Sequence, residues 1–359
     1  MKAFRNTNEL TSIEYDGKTI TPDKDNKIEI DTTYDKVPEV KFNISDAGGY
    51  VMAGNDVVDE TENKKIKTSG KVTEIKVKVY AQDFETVSEY TLVVNTDYTG
   101  LDLSKNIVKA FGFNETNDGA VAVAKASVPT SISGAKFKYV NGQSTKALSL
   151  DGTYGLKLLD DASKLGESYT ISFAMKASEA GSAVNPTITA GTFSPEYWLN
   201  LTLDGKIWSH DANGYIDTTA SGAYTAGKWQ TVTLVVDGSK QGKTEGTVSG
   251  KLYVDGTVVT EGSVASDIMK KSGAAVYFGV NAWDAYFKGE LDDVLLFNKA
   301  LGESEIAAIN SKVITADTFN KQTAVSNKPV AKSITVKASG LKKLSLIHIS
   351  EPTRPISIS

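Results

Sequence analysis

The sequence predicts an all-β chain built from two consecutive β-sandwich domains. Three features carry this expectation. Apolar residues recur at every second position, Asp-Gly pairs punctuate the apolar runs, and only one short stretch has helical periodicity. In EIKVKVY (74–80), Ile75, Val77 and Val79 fall on one face and Lys76 and Lys78 on the other. Short strands separated by turn signals belong to sandwiches or barrels, whereas βαβ units need long helices between strands.

The first block holds the strand-like runs VKFNI (40–44), EIKVKVY (74–80) and YTLVVN (90–95). The second holds YTISFAM (169–175), YWLNLTL (197–203), WQTVTLVV (229–236) and AVYFGV (275–280). Asp-Gly pairs stand at 16–17, 151–152, 204–205, 237–238 and 255–256. The last lies inside KLYVDGTVV and predicts a hairpin, because both central residues of its tight turn need positive φ. One helix is expected over ESEIAAIN (303–310), with Ile306 and Ile309 toward a core. Composition shifts divide the chain into 1–97, a first sandwich, and 98–312, a second. Residues 313–343 read as a linker and the start of a truncated Ig-like module, and 344–359 as a non-native tail.

With 40% hydrophobic residues in 359, there is enough apolar material for real cores. The net charge of −5 is mild and unevenly spread: residues 1–97 carry 13 Lys/Arg against 19 Asp/Glu, and residues 313–359 carry 7 against 2. The acidic bulk argues against a nucleic-acid partner, which needs clustered cations. The absence of cysteine removes disulfides, thiolate metal sites and cysteine nucleophiles together. No apolar run approaches the roughly 20 residues of a membrane span, so no membrane insertion is expected. The opening MKAFRNTNEL lacks a signal-peptide core. Residues 344–354, LSLIHISEPTR, resemble a translated sequencing adapter, so the natural chain is expected to continue beyond Lys343 and this sequence to be an internal fragment.

The first block resembles a cadherin-like bacterial β-sandwich, on LTSIEYDGKTITP, Tyr34 in DTTYD and the closing pair TEIKVKVYAQDFETVSEYTLVVN. The resemblance implies a spacer or adhesion unit of an extracellular protein. The second block, from about Leu103 to Ile309, resembles the laminin-G-like, concanavalin A-like jelly rolls. That resemblance is carried by FGFNETNDGA (111–120), ALSLDGTYGLKL (147–158), SYTISFAMKA (168–177), GKWQTVTLVVDG (227–238), GKLYVDGTVV (250–259) and YFKGELDDVLLFNKALGESEI (286–306). Gly302 departs from the Ser or Thr cap common in the family. The resemblance implies two packed antiparallel sheets, often a structural calcium ion, and often glycan or protein binding.

Catalysis is not expected. His210 and His348 are the only histidines, His348 lies in the suspect tail, and no nucleophile elbow is present. Concanavalin-like sandwiches also house glycosidases, one retaining family of which places E-x-D-x-x-E on a single strand. The nearest run here is Glu290-Leu291-Asp292-Asp293-Val294-Leu295, where Leu295 replaces the second glutamate.

In ELDDVLLFN, one of Asp292 and Asp293 must start in line with apolar neighbours, whichever face is inward. A buried carboxylate needs a cation, hydrogen bonds or a metal. Calcium accepts such oxygens, and Asn114, Asn117 and Asp118 in FNETNDG are expected to complete its shell; an ordinary Asx turn beside a hydrogen-bonded Asp is the alternative. DANGYID (211–217) lacks the acidic ligands of an EF-hand and reads as a turn.

A glycan partner would be recognised by rings and polar groups together. Trp229 is assigned to packing, and Tyr286 and Phe287 to the core. Trp198 shares a strand face with Asn200 and Thr202, opposite Tyr197, Leu199, Leu201 and Leu203. Trp208 and His210 follow closely, and Asn281, Trp283 and Asp284 occupy a loop before the final strand. These seven, Trp198, Asn200, Trp208, His210, Asn281, Trp283 and Asp284, are the expected ligand-binding residues. The expected function is a non-catalytic carbohydrate-binding module of a larger secreted or cell-surface bacterial protein, such as a glycoside hydrolase, whose other domains are its remaining partners. The alternative is a pair of adhesion or spacer modules that bind protein or no specific ligand.

Overall fold

The computed structural model of the chain describes residues 6–59, 61–143, 145–179, 185–193, 196–218, 223–317 and 319. The expected tail at 344–359 and the truncated module after residue 319 lie outside the described residues. What is described divides into two β-sandwiches, as the period-2 pattern requires.

In the first, a four-stranded sheet runs in the order Lys18–Ile20, Leu10–Tyr15, Glu39–Ile44, Lys64–Lys65. Facing it is a five-stranded sheet in the order Lys27–Thr33, Val87–Asp97, Val72–Tyr80, Tyr50–Ala53, Asp56–Val58. Strands Lys27–Thr33 and Val87–Asp97 pair in parallel, and the remaining pairs are antiparallel. Ile13, Phe42, Val51, Val79 and Leu92 pack between the sheets with almost no solvent contact. The alternation read in EIKVKVY therefore sends Val77 and Val79 inward.

The second sandwich has two eight-stranded sheets among the described residues. One runs Lys138–Asn141, Lys146–Asp151, Lys288–Phe297, Tyr169–Ala177, Gln230–Gln241, Thr247–Val254, Thr257–Ala265, and Ile107–Phe111 also pairs with Lys288–Phe297. Its outer side is covered by the α-helix Glu303–Asn310, as Ile306 and Ile309 pack on Val235, Tyr253, Leu295 and Phe297. Gly302 caps this helix without a side chain, and its N–H donates instead to the Glu305 carboxylate at 2.9 Å.

The other sheet runs Thr130–Ser131, Val121–Ala124, Gly155–Leu159, Ala275–Phe278, Pro186–Phe193, Glu196–Thr202, Ile207–Asp211, Gly214–Asp217. Its inner side meets the helix-covered sheet over Phe173, Leu199, Leu201, Val276, Phe278 and Phe287. Among the described residues no helix lies over its outer side. The Asp255-Gly256 hairpin forms as read: Val254 pairs with Thr257, and the two turn residues have φ of 49° and 78°.

The ambiguity at Asp292-Asp293 is resolved by a β-bulge. Asp292 pairs with Ala174 and Leu295 with Ser172, so two residues oppose Phe173, and Asp293 takes a φ of 47°. The extra residue lets Leu291, Val294 and Leu296 all reach the inter-sheet core. Asp292 is thereby moved to the outer side of the sheet.

The chain past Lys312, read as linker, stays docked as far as Asp317. Ala316 is fully buried beside Phe297 and Ile309, its N–H donates to Asp293 at 3.1 Å, and Asn114 donates to Asp317 at 2.6 Å. The second domain therefore extends several residues beyond the composition boundary.

Phe278 meets Phe173 edge-on at 5.3 Å and Phe287 at 5.0 Å, at the centre of this core. Phe278→Ala is expected to lower unfolding stability by about 3–5 kcal/mol, measured by chemical denaturation of the full chain.

Candidate functional site: an aromatic ladder on the uncovered sheet face

Strand register places one aromatic or small residue after another across the uncovered face. Ala275 pairs with Gly191, Gly191 with Trp198, Trp198 with His210, and His210 with Tyr215. Residues directly opposite one another point to the same side of a sheet, so this ladder is a continuous stripe. Gly191 is required in it: its φ is 115°, and a Cβ there would lie 2.1 Å from the Tyr197 carbonyl oxygen. The next rung is polar, running Tyr277, Thr189, Asn200, Trp208, Asp217.

Trp198 forms the floor, only 4% exposed. Its ring stacks on His210 at 5.8 Å and meets Tyr215 edge-on at 5.9 Å and Trp283 at 5.4 Å. Trp283 reaches it from the Phe193 side (5.5 Å), whereas Tyr215 reaches it from the His210 side (4.7 Å). These two rings carry the exposed aromatic surface, at 48% for Trp283 and 73% for Tyr215. The Trp198 indole nitrogen is buried with no hydrogen-bond partner, an arrangement that costs about 1–3 kcal/mol in a folded protein.

Asn281 organises the loop that carries Trp283. Its side-chain oxygen accepts from the N–H of Trp283 (2.9 Å) and of Asp284 (2.7 Å), and its amide donates to the Asp284 carboxylate at 2.6 Å. Lys125 ties the same loop down by donating to the carbonyls of Trp283 (3.4 Å) and Asp284 (2.9 Å). The Tyr286 hydroxyl accepts from the Lys125 N–H at 2.6 Å.

Of the seven residues expected to bind ligand, the structure brings all to one face but divides their roles. Trp283 presents an open ring, and His210 and Asp284 are partly accessible. Asn200 and Asn281 are corrected to structural positions. Asn200 is buried with its oxygen accepting from Thr189 (3.0 Å), and Asn281 is 0% exposed. A polar side chain on the outer side of a strand is sealed whenever neighbouring rings cover it. Trp208 gives up its ring face to the Lys206 ammonium at 4.2 Å, and its indole donates to Asp217 at 2.7 Å. Phe287 is core as read, whereas Tyr286 joins the outer cluster. DANGYID forms the expected turn. Tyr215 within it was missed. Its register partner His210, two residues before that turn's start at Ala212, was the available signal.

Four of the five oxygen-bearing residues read as calcium ligands are committed to hydrogen bonds or ion pairs of their own. Asn117 closes its own turn, accepting from Gly119 and donating to Ala120, and Asp118 is held by the N–H groups of Gly112 and Phe113 at 2.7 and 2.8 Å. Asn114 accepts from the Lys146 N–H at 3.0 Å and donates to Asp317. Asp293 accepts from Ala316 and lies 3.6 Å from the Lys312 ammonium. Among the described residues no three acidic or histidine side chains gather closely enough to hold a metal. Asp292 is the exception that fits. It is 2% exposed, one oxygen accepts only from the Asp293 N–H (2.8 Å), and the other lies 2.6 Å from where a Cβ on Gly142 would sit. A buried carboxylate with a single backbone donor is a hard-oxygen donor of the kind calcium takes.

The fold and this face together define a concanavalin A-like β-sandwich. Residues 150–307 match the family described as the concanavalin A-like lectin/glucanases superfamily. No curated protein matches the chain. Among solved structures, domain 4 of AbnA, a GH43 extracellular arabinanase from Geobacillus stearothermophilus in complex with arabinotriose, is similar at 22% identity and a TM-score of 0.45, covering 57% of this chain and 98% of that one. The Ruminococcus gnavus IT-sialidase CBM40 bound to alpha2,3 sialyllactose is 16% identical, with a TM-score of 0.34 and coverages of 46% and 96%. The botulinum neurotoxin type G receptor binding domain is 11% identical, with a TM-score of 0.38, and the similarity covers 58% of this chain and about half, 51%, of that one.

Burial first, and then the neighbouring Asp293 charge, push the Asp292 carboxyl up to about 7 from the ordinary 3.8. An acid raised on folding favours the folded state below its unfolded value and loses that contribution as pH climbs through the folded one. In a chelating buffer, stability is therefore expected to fall by a few kcal/mol between about pH 4 and pH 7. Asp292→Asn should flatten that slope, as read by denaturant midpoints across the pH range.

Proposed function

We propose that the second domain is a non-catalytic carbohydrate-binding module of an extracellular or cell-surface protein. One observation carries this reading: two exposed rings, Trp283 and Tyr215, flank a buried indole on a sheet face that, among the described residues, no helix covers. Exposed aromatics are costly to leave in water, and a pyranose or furanose ring offers the apolar C–H face that covers them. The polar groups beside them, His210 and Asp284, suit sugar hydroxyls.

The lectin/glucanase family description admits both binders and hydrolases. The residues favour binding. Glu290 is paired with Lys176 at 3.1 Å, and Leu295, at the position of a second catalytic carboxylate, is sealed beneath the helix. A retaining pair needs two carboxyl groups about 5–5.5 Å apart across the scissile bond; beside Glu290 this strand offers only Asp292, which is buried, and Asp293, which is engaged by Ala316 and Lys312. The first domain is part of the same proposal as a cadherin-like spacer.

A glycan array probed with the full chain tests the reading. Capture of one or more oligosaccharides is expected, with affinity reduced about tenfold in Trp283→Ala and in Tyr215→Ala, the amount a lost ring contact of roughly 1–1.5 kcal/mol represents. Retention of glycans unchanged in both variants would overturn it.

A structural calcium at Asp292 belongs to the proposal. Bound there, the ion adds a direct positive partner to a buried carboxylate whose nearby ammonium, Lys312, is paired with Asp293. The melting temperature is expected to rise when calcium replaces chelator in the wild type and to stay level in Asp292→Asn. Equal wild-type melting in both buffers would remove calcium from the proposal.

A further inference from the structure

We propose that the ligand of the Trp198–Trp283–Tyr215 face is an uncharged glycan, and that acidic sugars are excluded from it. The inference rests on the glycan-binding reading and adds the ligand's charge to it.

The first observation is in the sequence. The chain's arginines are Arg5 and Arg354, and neither lies in the second domain. A sugar carboxylate is held best by the planar, bidentate guanidinium, and this face has none to offer.

The second is the state of the lysines. Lys125 spends its ammonium on the carbonyls of Trp283 and Asp284. Lys206 is paired with Asp217 at 2.8 Å while lying over Trp208. Farther along the same sheet, Lys157 is paired with Asp160 at 2.6 Å. Lys271, whose ammonium lies 3.8 Å from the centre of the Tyr197 ring, is paired with Asp267 at 2.7 Å. Among the described residues, each of these ammonium groups already has its partner.

The third is positive. Asp284 stands next to the exposed Trp283, with one carboxylate oxygen taken by Asn281 and, among the described residues, no hydrogen-bond partner on the other. An ionised carboxylate only accepts hydrogen bonds. It matches a hydroxyl and repels a second carboxylate at close range. The Asn281 side chain holds Trp283 and Asp284 in one turn, and in the proposal one sugar stacks on Trp283 and donates a hydroxyl to Asp284. Tyr215, on the far side of Trp198, offers a second ring to the neighbouring sugar of a chain.

Titration calorimetry of the full chain decides it. The uncharged probes are arabinotriose, xylotriose and cellotriose together with any uncharged glycan captured on the array. The acidic ones are sialyllactose and trigalacturonate. The expected result is binding of an uncharged glycan at least about tenfold tighter than either acidic one, changing less than about twofold between low and high salt. Asp284→Asn, which keeps the size and loses the charge, should weaken the uncharged ligand several-fold and narrow the discrimination. Tyr215→Ala, at a highly exposed position where folding is not at stake, should weaken the uncharged ligand about tenfold. Tighter binding of an acidic glycan that weakens with salt and is lost in Trp283→Ala would overturn the charge preference while leaving the glycan reading intact. Failure of every glycan, uncharged or acidic, to bind would overturn the reading and the preference with it.

Discussion

The second domain depends on one constraint: two eight-stranded sheets share a single apolar core, so every strand must send alternate side chains into it. Phe173, Leu199, Leu201, Val276, Phe278 and Phe287 fill that space from both sides. Sliding any strand by one residue would exchange its whole inner set for its outer one. Register is therefore pinned by the core, and the outer face inherits whatever lies between the core positions. Trp198, His210 and Tyr215 stand in line because Leu199, Ser209 and Ile216 point the other way.

The two outer faces were put to different uses. The helix-covered sheet spends its outer apolar residues on Ile306, Ile309 and Ala316, which seal Leu295 and Phe297. Among the described residues the other sheet has no such cover, and its outer residues form a small cluster of rings around Val123, Tyr277 and Val280. Rings that pack on each other can be half-buried without a second layer above them. That is how one domain can have a fully sealed face and a face available to a ligand.

Polar groups on this face divide by what covers them. Asn200 and Thr189 satisfy one another beneath the rings, and Asn281 spends its whole side chain on the Trp283–Asp284 turn. A buried polar group without such partners is expensive, so the sealed ones are paired. Asp284, at the rim, keeps an oxygen uncommitted. Asp292 shows the opposite case, a sealed carboxylate with a single backbone donor, and its raised pKa is the consequence.

Much was legible before any coordinates. Period-2 alternation determined the strands, the Asp-Gly pair determined the hairpin at 255–256, and the spacing in ESEIAAIN determined a helix with the bounds Glu303–Asn310. These are local effects: pleat geometry, turn φ values and side-chain spacing act within a few residues. The side of the strand on which Trp198 lies followed from the same alternation. Which outward residues would be covered did not. The depth of Asn200 and Asn281, the exposure of Tyr215, and the docking of Ala316 past the apparent linker depend on contacts between residues far apart in the chain. The bulge at Asp293 is the sharpest instance. The sequence left two adjacent aspartates competing for one apolar face. Only the pairing of that strand with Tyr169–Ala177 decided that neither would take it, because one extra residue opposite Phe173 let the leucines and valine on both sides reach the core.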